Sequence, residues 1–321
     1  MRNALRNQER LCTVDQALAA ILDRHPALSE IATARAALLK AREETLAALP
    51  AVSLLGPAPD SAAASARLSS GQPLLAPVLD ALAAPAPELA ARLFQAARVL
   101  IPAAARAFPM AAEALGRLGN FLDDAPAPGQ FLAQALAASE SQEALAALAA
   151  PYALEPGVLH LAAAESLMAV LTREAELLAP LVNQDAWRRS VCPVCGGGPD
   201  VGILKEGIED SEFLIAKAGQ LWLHCGQCGT MWRFPRLRCL ACGCEDHQRL
   251  EVLEAEGDVR AAQERAHLCQ ECKTYSVTLN LVDRSDRVNL EMLALCVLPL
   301  ELLAQEKGFA PVTATAWNRL G

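Results

Sequence analysis

The chain has 321 residues, a net charge of −9, and a composition that is 53% hydrophobic but only 4% aromatic. An acidic chain is not steered towards phosphate backbones, which argues against nucleic-acid binding as the main activity. Abundant alanine and leucine with few aromatic or β-branched residues favour packed helices over a large sheet. The opening segment scatters Arg2, Arg6, Glu9, Arg10 and Asp15 where a secretory core would need apolar residues, and no stretch of about 18 apolar residues occurs. A cytoplasmic protein without a membrane span is expected, and in that compartment eleven cysteines point to metal rather than to disulfides.

Residues 1–186 read as a helical domain. The run "EIATARAALLKAREETLAAL" repeats Ile31, Ala34, Leu38, Ala41 and Ala48 at helical spacing, with charges such as Arg35, Lys40 and Glu43 between them. "PELAARLFQAARVLIPAAA" does the same through Leu89, Leu93, Phe94, Ala97, Leu100 and Ile101, and two more runs follow up to Pro180. "LLGPAPDSAAASARLSSGQP" is predicted to be a long mobile loop, while "DDAPAPGQ" and "PYALEPG" read as short connections. The region is expected to be a scaffold without chemistry of its own, and the isolated His25 and His160 are expected to be structural.

From Val201 the period changes to short alternating runs bounded by glycine, which predict strands: "VGILKEG", "EFLIAKAG", "QLWLHC", "TMWRFPRLRC", then "HQRLEVLEAEG", "DVRAAQERAHLC" and "KTYSVTLNLVD". The tail, "NLEMLALCVLPLELLAQEKGF", returns to helix.

Nine of the eleven cysteines lie between Cys192 and Cys272, eight of them as C-x-x-C pairs: Cys192/Cys195, Cys225/Cys228, Cys239/Cys242 and Cys269/Cys272. Two intervening residues let one turn present both sulfurs to a tetrahedral ion, and two such turns close a site. The pairs can combine sequentially, interleaved or nested. The sequential pairing is preferred because the sequence repeats itself: 29 residues separate the inner cysteines of the first two pairs and 26 those of the last two. Two tandem modules follow, at 187–234 and 235–282, each a small hairpin closed by thiolate knuckles as in rubredoxins and zinc ribbons, with a helical tail at 283–321. Site 1 is then Cys192, Cys195, Cys225 and Cys228, and site 2 is Cys239, Cys242, Cys269 and Cys272. Gly196, Gly229 and Gly243 follow three of the pairs and permit a positive φ, whereas Lys273 follows the fourth. Thr230 with Trp232, and Thr274 with Tyr275, echo each other, and each aromatic is expected to cover the apolar flank of its site.

Cys244 is the odd thiol. It is expected to follow the Gly243 turn and donate its N–H to a ligand sulfur, a spare or sulfur-handling thiol being the alternative. Cys12 and Cys296 are read as small buried hydrophobes, and His224 and His267 as neighbours of the ligands rather than ligands. Four thiolates leave no open coordination position, so both sites look closed and no hydrolytic enzyme is expected. No nucleophile elbow, phosphate loop or H-E-x-x-H motif occurs, and Glu209, Asp210 and Glu212 read as a solvated loop.

Across residues 185–280 the run "CPVCGGGP … LWLHCGQCGTMWRFPRLRCLACG … HLCQECKTY" resembles the formate dehydrogenase accessory protein family FdhE. The resemblance covers the tail loosely and the first half only as helical character. It carries over all eight paired cysteines together with Trp232, Arg236 and Arg238. It implies an α plus small β protein: a helical N-terminal domain, two rubredoxin-like modules and a C-terminal helix. It also implies a cytoplasmic maturation factor, or chaperone, that binds the catalytic subunit of a molybdenum- or tungsten-containing formate dehydrogenase and holds two iron or zinc ions. The tail departs from the family pattern: Asp283 and Asp286 are separated, and Asn318-Arg319 stands where the family has Asn-Pro.

Three functions are compatible with the residues. The first is the accessory protein, with Trp232, Arg233, Arg236 and Arg238 as candidate partner contacts. The second is a rubredoxin-like iron protein that passes single electrons or senses oxygen. The third is a nucleic-acid-binding zinc ribbon, disfavoured because residues 186–280 hold 11 basic and 13 acidic side chains before the thiolates add more negative charge.

Overall fold

The computed structural model describes residues 12–56, 60–205, 219–254, 263–282, 288–315 and 317–318. The helical region begins with α1 (Val14–Arg24), α2 (Ser29–Ala48) and α3 (Ser61–Ser69). It continues through α4 (Pro87–Ala107), α5 (Ala112–Asp124), α6 (Pro128–Ala138), α7 (Gln142–Ala149) and α8 (Pro156–Leu178). Local chemistry starts these helices where the sequence suggests. Thr13 and Gln16 form a capping box at α1, Ser141 caps α7, and prolines open α4, α6 and α8 where the missing N–H costs nothing. α4 is the central helix and packs against α2, α5, α6 and α8. It meets α6 backbone to backbone: a Cβ on Gly129 would collide with the Ala90 carbonyl, so only glycine permits the approach.

The predicted long loop is not one. α3 lies within it, started by Asp60, whose carboxylate accepts the Ala62 N–H at 2.8 Å. Beyond α3 the chain docks on the first cysteine knuckle, where Leu74 and Leu75 donate backbone hydrogen bonds to Pro193 and Val194. An aspartate before an alanine-rich run is a helix start; the flanking glycines and prolines obscured it.

The two cysteine modules form one sheet. Its strands are β1 (Pro199–Lys205), β2 (Gln220–Cys225), β3 (Met231–Phe234), β4 (Leu250–Glu254), β5 (Glu264–Cys269) and β6 (Thr274–Asn280). Their order is β3-β2-β1-β6-β5-β4, and β7 (Ala310–Pro311) adds to β6. Within each module the pairing is antiparallel, and the modules join through parallel β1 and β6, where Gly202 faces Thr278 and Ile203 faces Leu279. The predicted strand "EFLIAKAG" and the acids Glu209, Asp210 and Glu212 fall outside the described residues, as do Asp283, Asp286 and Arg319. "MWRFPRLR" stops being a strand at Phe234, before Pro235.

The expected C-terminal helix is broken into α9 (Leu290–Cys296) and α10 (Leu298–Glu306), because Pro299 starts a new helix rather than continuing the old one. α9 and α10 cover one sheet face, where Val201, Ile203, Ala266, Tyr275, Val277 and Leu279 share a core with Leu293, Val297 and Leu300. α9 also packs on α1 and α2 through Met292 and Leu295. Arg24 of α1 makes a two-pronged bond to Glu264 of β5 at 2.5 and 2.7 Å. No single helix among the described residues is long and apolar enough to cross a membrane.

Asn318 fastens the tail. It is buried and donates to Glu301 at 3.0 Å and to the Thr313 carbonyl at 3.1 Å. Burial lifts the Glu301 carboxyl to about 7, against the hydrogen bonds from Asn318 and Tyr275 that favour the anion. The folded chain thus keeps this proton where the unfolded chain has released it. The stabilisation is complete below about pH 4.5 and is lost as pH rises through about 7. Glu301→Gln keeps an acceptor for Asn318 and carries no charge. It is expected to melt with the wild type near pH 5 and to be more stable near pH 8, by on the order of 3 kcal/mol. Identical melting of the two chains at both pH values refutes this.

Candidate metal centres

Each knuckle is a tight turn closed by the same backbone hydrogen bond. The N–H groups of Gly196, Gly229, Gly243 and Lys273 donate to the carbonyls of Cys192, Cys225, Cys239 and Cys269 at 2.9, 3.0, 3.1 and 2.9 Å. The closing residue is left-handed in all four, with φ of 81°, 72° and 75° at the glycines and 56° at Lys273. The turn geometry is thus common to all four knuckles, and at the last one a lysine adopts a conformation that non-glycine residues rarely take.

The sulfurs group as the sequential pairing expects. Cys192, Cys195, Cys225 and Cys228 form one cluster and Cys239, Cys242, Cys269 and Cys272 the other, with all four Sγ atoms of each lying within 4.8 Å of one another. Cys192 is 3.6 Å from Cys228 and Cys195 is 3.5 Å from Cys225. In the second cluster Cys239 is 3.6 Å from Cys272 and Cys242 is 3.7 Å from Cys269. These separations are far too long for disulfides, whose bond is about 2.05 Å. They suit a tetrahedral ion with metal–sulfur bonds of about 2.3 Å, which spaces its sulfurs about 3.8 Å apart. Each cluster could therefore hold one metal ion.

Hydrogen-bond donors reach several of the sulfurs, while the close approach of four thiols pushes Cys195 and Cys225 up. Thr230 and Thr274 stand 3.1 and 3.0 Å from the sulfurs of Cys228 and Cys272, and the Gly197 N–H donates to Cys195 at 3.4 Å. Burial pushes Cys272 up, but hydrogen bonds from Thr274 and the other thiols outweigh it and bring it down to about 7. The Cys244 N–H hydrogen-bonds the Cys242 sulfur, and the Cys244 carbonyl accepts from Cys239 at 2.8 Å. Cys244 thus completes the knuckle through its backbone. Cys12 and Cys296 are only half-buried, at the edge of the core that α1, α2 and α9 share. Neither they nor His25 and His160 belong to a possible metal group among the described residues.

The two clusters differ in setting. The first is wholly buried and part of a core that crosses residue 187, running from Leu171, Ala175 and Leu178 of α8 through Trp187 to Trp232. In the second, Cys242 is exposed and Cys272 half-buried. The aromatic echo also fails. Trp232 lies in the first cluster's core, but Tyr275 lies under α9 and α10 instead. Trp232 is four residues past its cysteine and Tyr275 three, so along a strand they point to opposite faces.

Trp232 is fully buried and donates its Nε1 hydrogen to the Arg189 carbonyl at 2.8 Å, which removes it from any contact surface. Arg233 pairs with Asp185 at 2.7 Å, while Arg236 and Arg238 are exposed. His224 points away from its neighbour Cys225. Its Nδ1 hydrogen-bonds Asp200 at 2.8 Å, and Nε2 is 3.6 Å from Glu291. Behind it, Arg42 contacts Glu165 at 2.7 Å and Glu291 at 3.5 Å, and Arg35 is 3.3 Å from Glu291. Burial works against the His224 cation, but Asp200 and Glu291 lift its pKa well above the usual histidine range. Burial likewise opposes the Glu291 anion, and His224 with the two arginines overcomes it, holding the carboxyl at about 2. This buried charge network joins α2, α8 and α9 to β1 and β2, and no local pattern announced it. Arg35, a charge set between the apolar positions of α2, is among its members and is buried.

Fold and sites together define a helical scaffold bearing two rubredoxin-like four-cysteine centres on one sheet. No family model matches the chain. A "Protein FdhE homolog" of Aquifex aeolicus (strain VF5) is 31% identical over 132 residues, and one of Shewanella baltica (strain OS185) is 29% identical over 126 residues. These matches cover 40% and 39% of this chain but only 42% and 38% of the relatives, so the chain spans about two fifths of the length of the curated proteins it matches. The crystal structure of the FdhE protein from Pseudomonas aeruginosa shares the fold, with a TM-score of 0.63 over 96% of this chain and 95% of that one at 20% identity. The chain is thus similar in sequence to FdhE proteins over part of its length, and it shares the fold of one of them.

Proposed function

We propose that the chain is a formate dehydrogenase accessory protein of the cytoplasm. In this reading it binds the catalytic subunit of a molybdenum- or tungsten-containing enzyme during assembly and catalyses no turnover itself. The observation that carries it is the pair of closed four-cysteine clusters on one continuous sheet, in a chain whose relatives are FdhE proteins. Site 1 (Cys192, Cys195, Cys225 and Cys228) and site 2 (Cys239, Cys242, Cys269 and Cys272) would each hold one iron or zinc ion, since four thiolates suit both metals. The ions would rigidify modules 187–234 and 235–282 on the 1–186 scaffold, with 283–321 as a clasp. Small ribbons depend on metal for folding free energy.

The tagged chain, isolated from its anaerobically grown host, is expected to enrich the formate dehydrogenase catalytic subunit over a tag-only control by mass spectrometry. Absence of that subunit while the enzyme is expressed refutes the reading. A second reading, one-electron transfer or oxygen sensing by iron, is favoured by the exposure of Cys242 at site 2. It requires an iron–thiolate absorption that bleaches reversibly on reduction, and stoichiometric zinc in a colourless anaerobic preparation refutes it.

A further inference from the structure

One face of the sheet is covered by α9 and α10; the alternate residues point the other way. There Gly202, Thr274, Ser276 and Thr278 form a low floor, because their side chains are small. A Cβ on Gly202 would come within 2.9 Å of Thr278 and 3.1 Å of Leu221, so larger residues are already crowded out. Leu221 and Leu223 of the first module form one wall, and Leu250 and Val252 of the second form the other. The result is a cleft of about 200 Å³ between the two modules, reaching Cys239 and Cys269 of site 2.

The cleft is apolar within and cationic at its border. Among the described residues, Arg236, Arg238 and Arg265 line it with Glu251 as the carboxylate. Arg236 donates to the neutral Gly219 carbonyl at 3.1 Å. Arg265 reaches Glu254 at 2.7 Å and Arg238 lies 3.6 Å from Glu245, both partly exposed pairs of the kind that water weakens. His267 lines the cleft too, with its Nε2 hydrogen-bonded to the Thr278 hydroxyl at 2.8 Å. At the lip, Leu237 is 73% exposed with φ of 57°, a left-handed leucine held out between two exposed arginines. Val252 across the cleft is 53% exposed. These two side chains extend the apolar lining of the cleft to its lip, and an apolar recess rimmed by polar groups is the form that interaction sites take.

We infer that this cleft docks an extended segment of a partner protein, in which an aliphatic side chain is flanked by carboxylates. The volume is below the roughly 300 Å³ at which small-molecule pockets begin, and fits one or two side chains. Arginine forks pair with carboxylates in bidentate geometry. A nucleic acid strand would call for a longer basic track and stacking rings, and the one aromatic at the cleft among the described residues, Tyr275, is buried on the far face. The inference deepens the accessory reading and rests on it only for the identity of the client.

A random heptapeptide phage library panned on the full-length, metal-loaded chain provides the test. Enriched peptides are expected to place Asp or Glu beside Leu, Ile, Val or Phe. Their synthetic forms, measured by fluorescence anisotropy, are expected to bind an Arg236→Ser/Arg238→Ser chain at least about tenfold more weakly, as for central interface arginines. Ser276→Phe, which fills the cleft without changing charge, is expected to do the same, and Arg98→Ser on the helical scaffold to bind as wild type. Both cleft variants are first checked for two metal ions per chain, which separates lost docking from lost folding. Enriched peptides without acids, or equal binding by the cleft variants, overturn the proposal. Client capture is scored separately, so the cleft can fail while the accessory reading stands, and the reverse.

Discussion

A Cys225→Ser chain is expected to emerge with one metal ion instead of two and to lose several kcal/mol of stability throughout the molecule. Cys225 has no exposed surface, and its cluster shares a core with α8, Trp187 and Trp232. The free energy of binding a structural ion, about 10–16 kcal/mol for zinc in small domains, is largely folding free energy. Losing it here loosens the junction between scaffold and sheet. Cys242→Ser is the matched contrast. Cys242 is exposed at the outer centre, so its loss is expected to remove the second ion and leave the helical scaffold and β1–β3 folded. Metal stoichiometry by elemental analysis and helix melting by circular dichroism check both. Two ions in Cys225→Ser, or the same melting loss in both variants, would sink the account.

The second large effect lies far from any cysteine. Arg92 in α4 bonds Glu174 in α8 at 2.6 Å, and the Glu174 side chain has no exposure. Glu174 also accepts from the Ser53 hydroxyl at 2.6 Å and the Leu54 N–H at 3.0 Å, so one carboxylate holds α8 and the turn after α2 together. Arg92→Ala strands a buried anion and is expected to cost about 3–5 kcal/mol. Replacing both partners, as Arg92→Met with Glu174→Leu, is expected to recover part of that, because the desolvated charge is gone while the Ser53 hydroxyl and Leu54 N–H lose their acceptor. Chemical denaturation of the two variants beside Arg92→Ala decides it. An Arg92→Ala chain within about 1 kcal/mol of wild type would mean that relaxation or water compensates the charge.

The features legible in the residue pattern were local ones. Two residues between thiols bring both onto one turn, and repetition of the module selects sequential pairing without long-range information. Apolar positions at helical spacing found α2 and α4, because one face must be buried whatever it packs against. The same logic missed the burial of Arg35. A charged residue between apolar positions is ordinarily solvated, and Arg35 is buried only because Glu165 and Glu291, 130 and 256 residues away, come to meet it. It misjudged Tyr275 as well, where one residue of offset turns a side chain to the other face of the sheet.

The residue pattern alone thus determined the helical first half, the four knuckles, their grouping into two sets of four and the chemistry those sets suit. All of these follow from interactions within a turn, within a helix or between repeats. The tertiary structure decided that the two modules fuse through the parallel β1–β6 pairing, that one centre is interior and the other reaches the surface, and that buried charges tie scaffold to sheet. Strand neighbours and ion-pair partners are chosen by the packing of segments distant in sequence. No spacing along the chain records that choice.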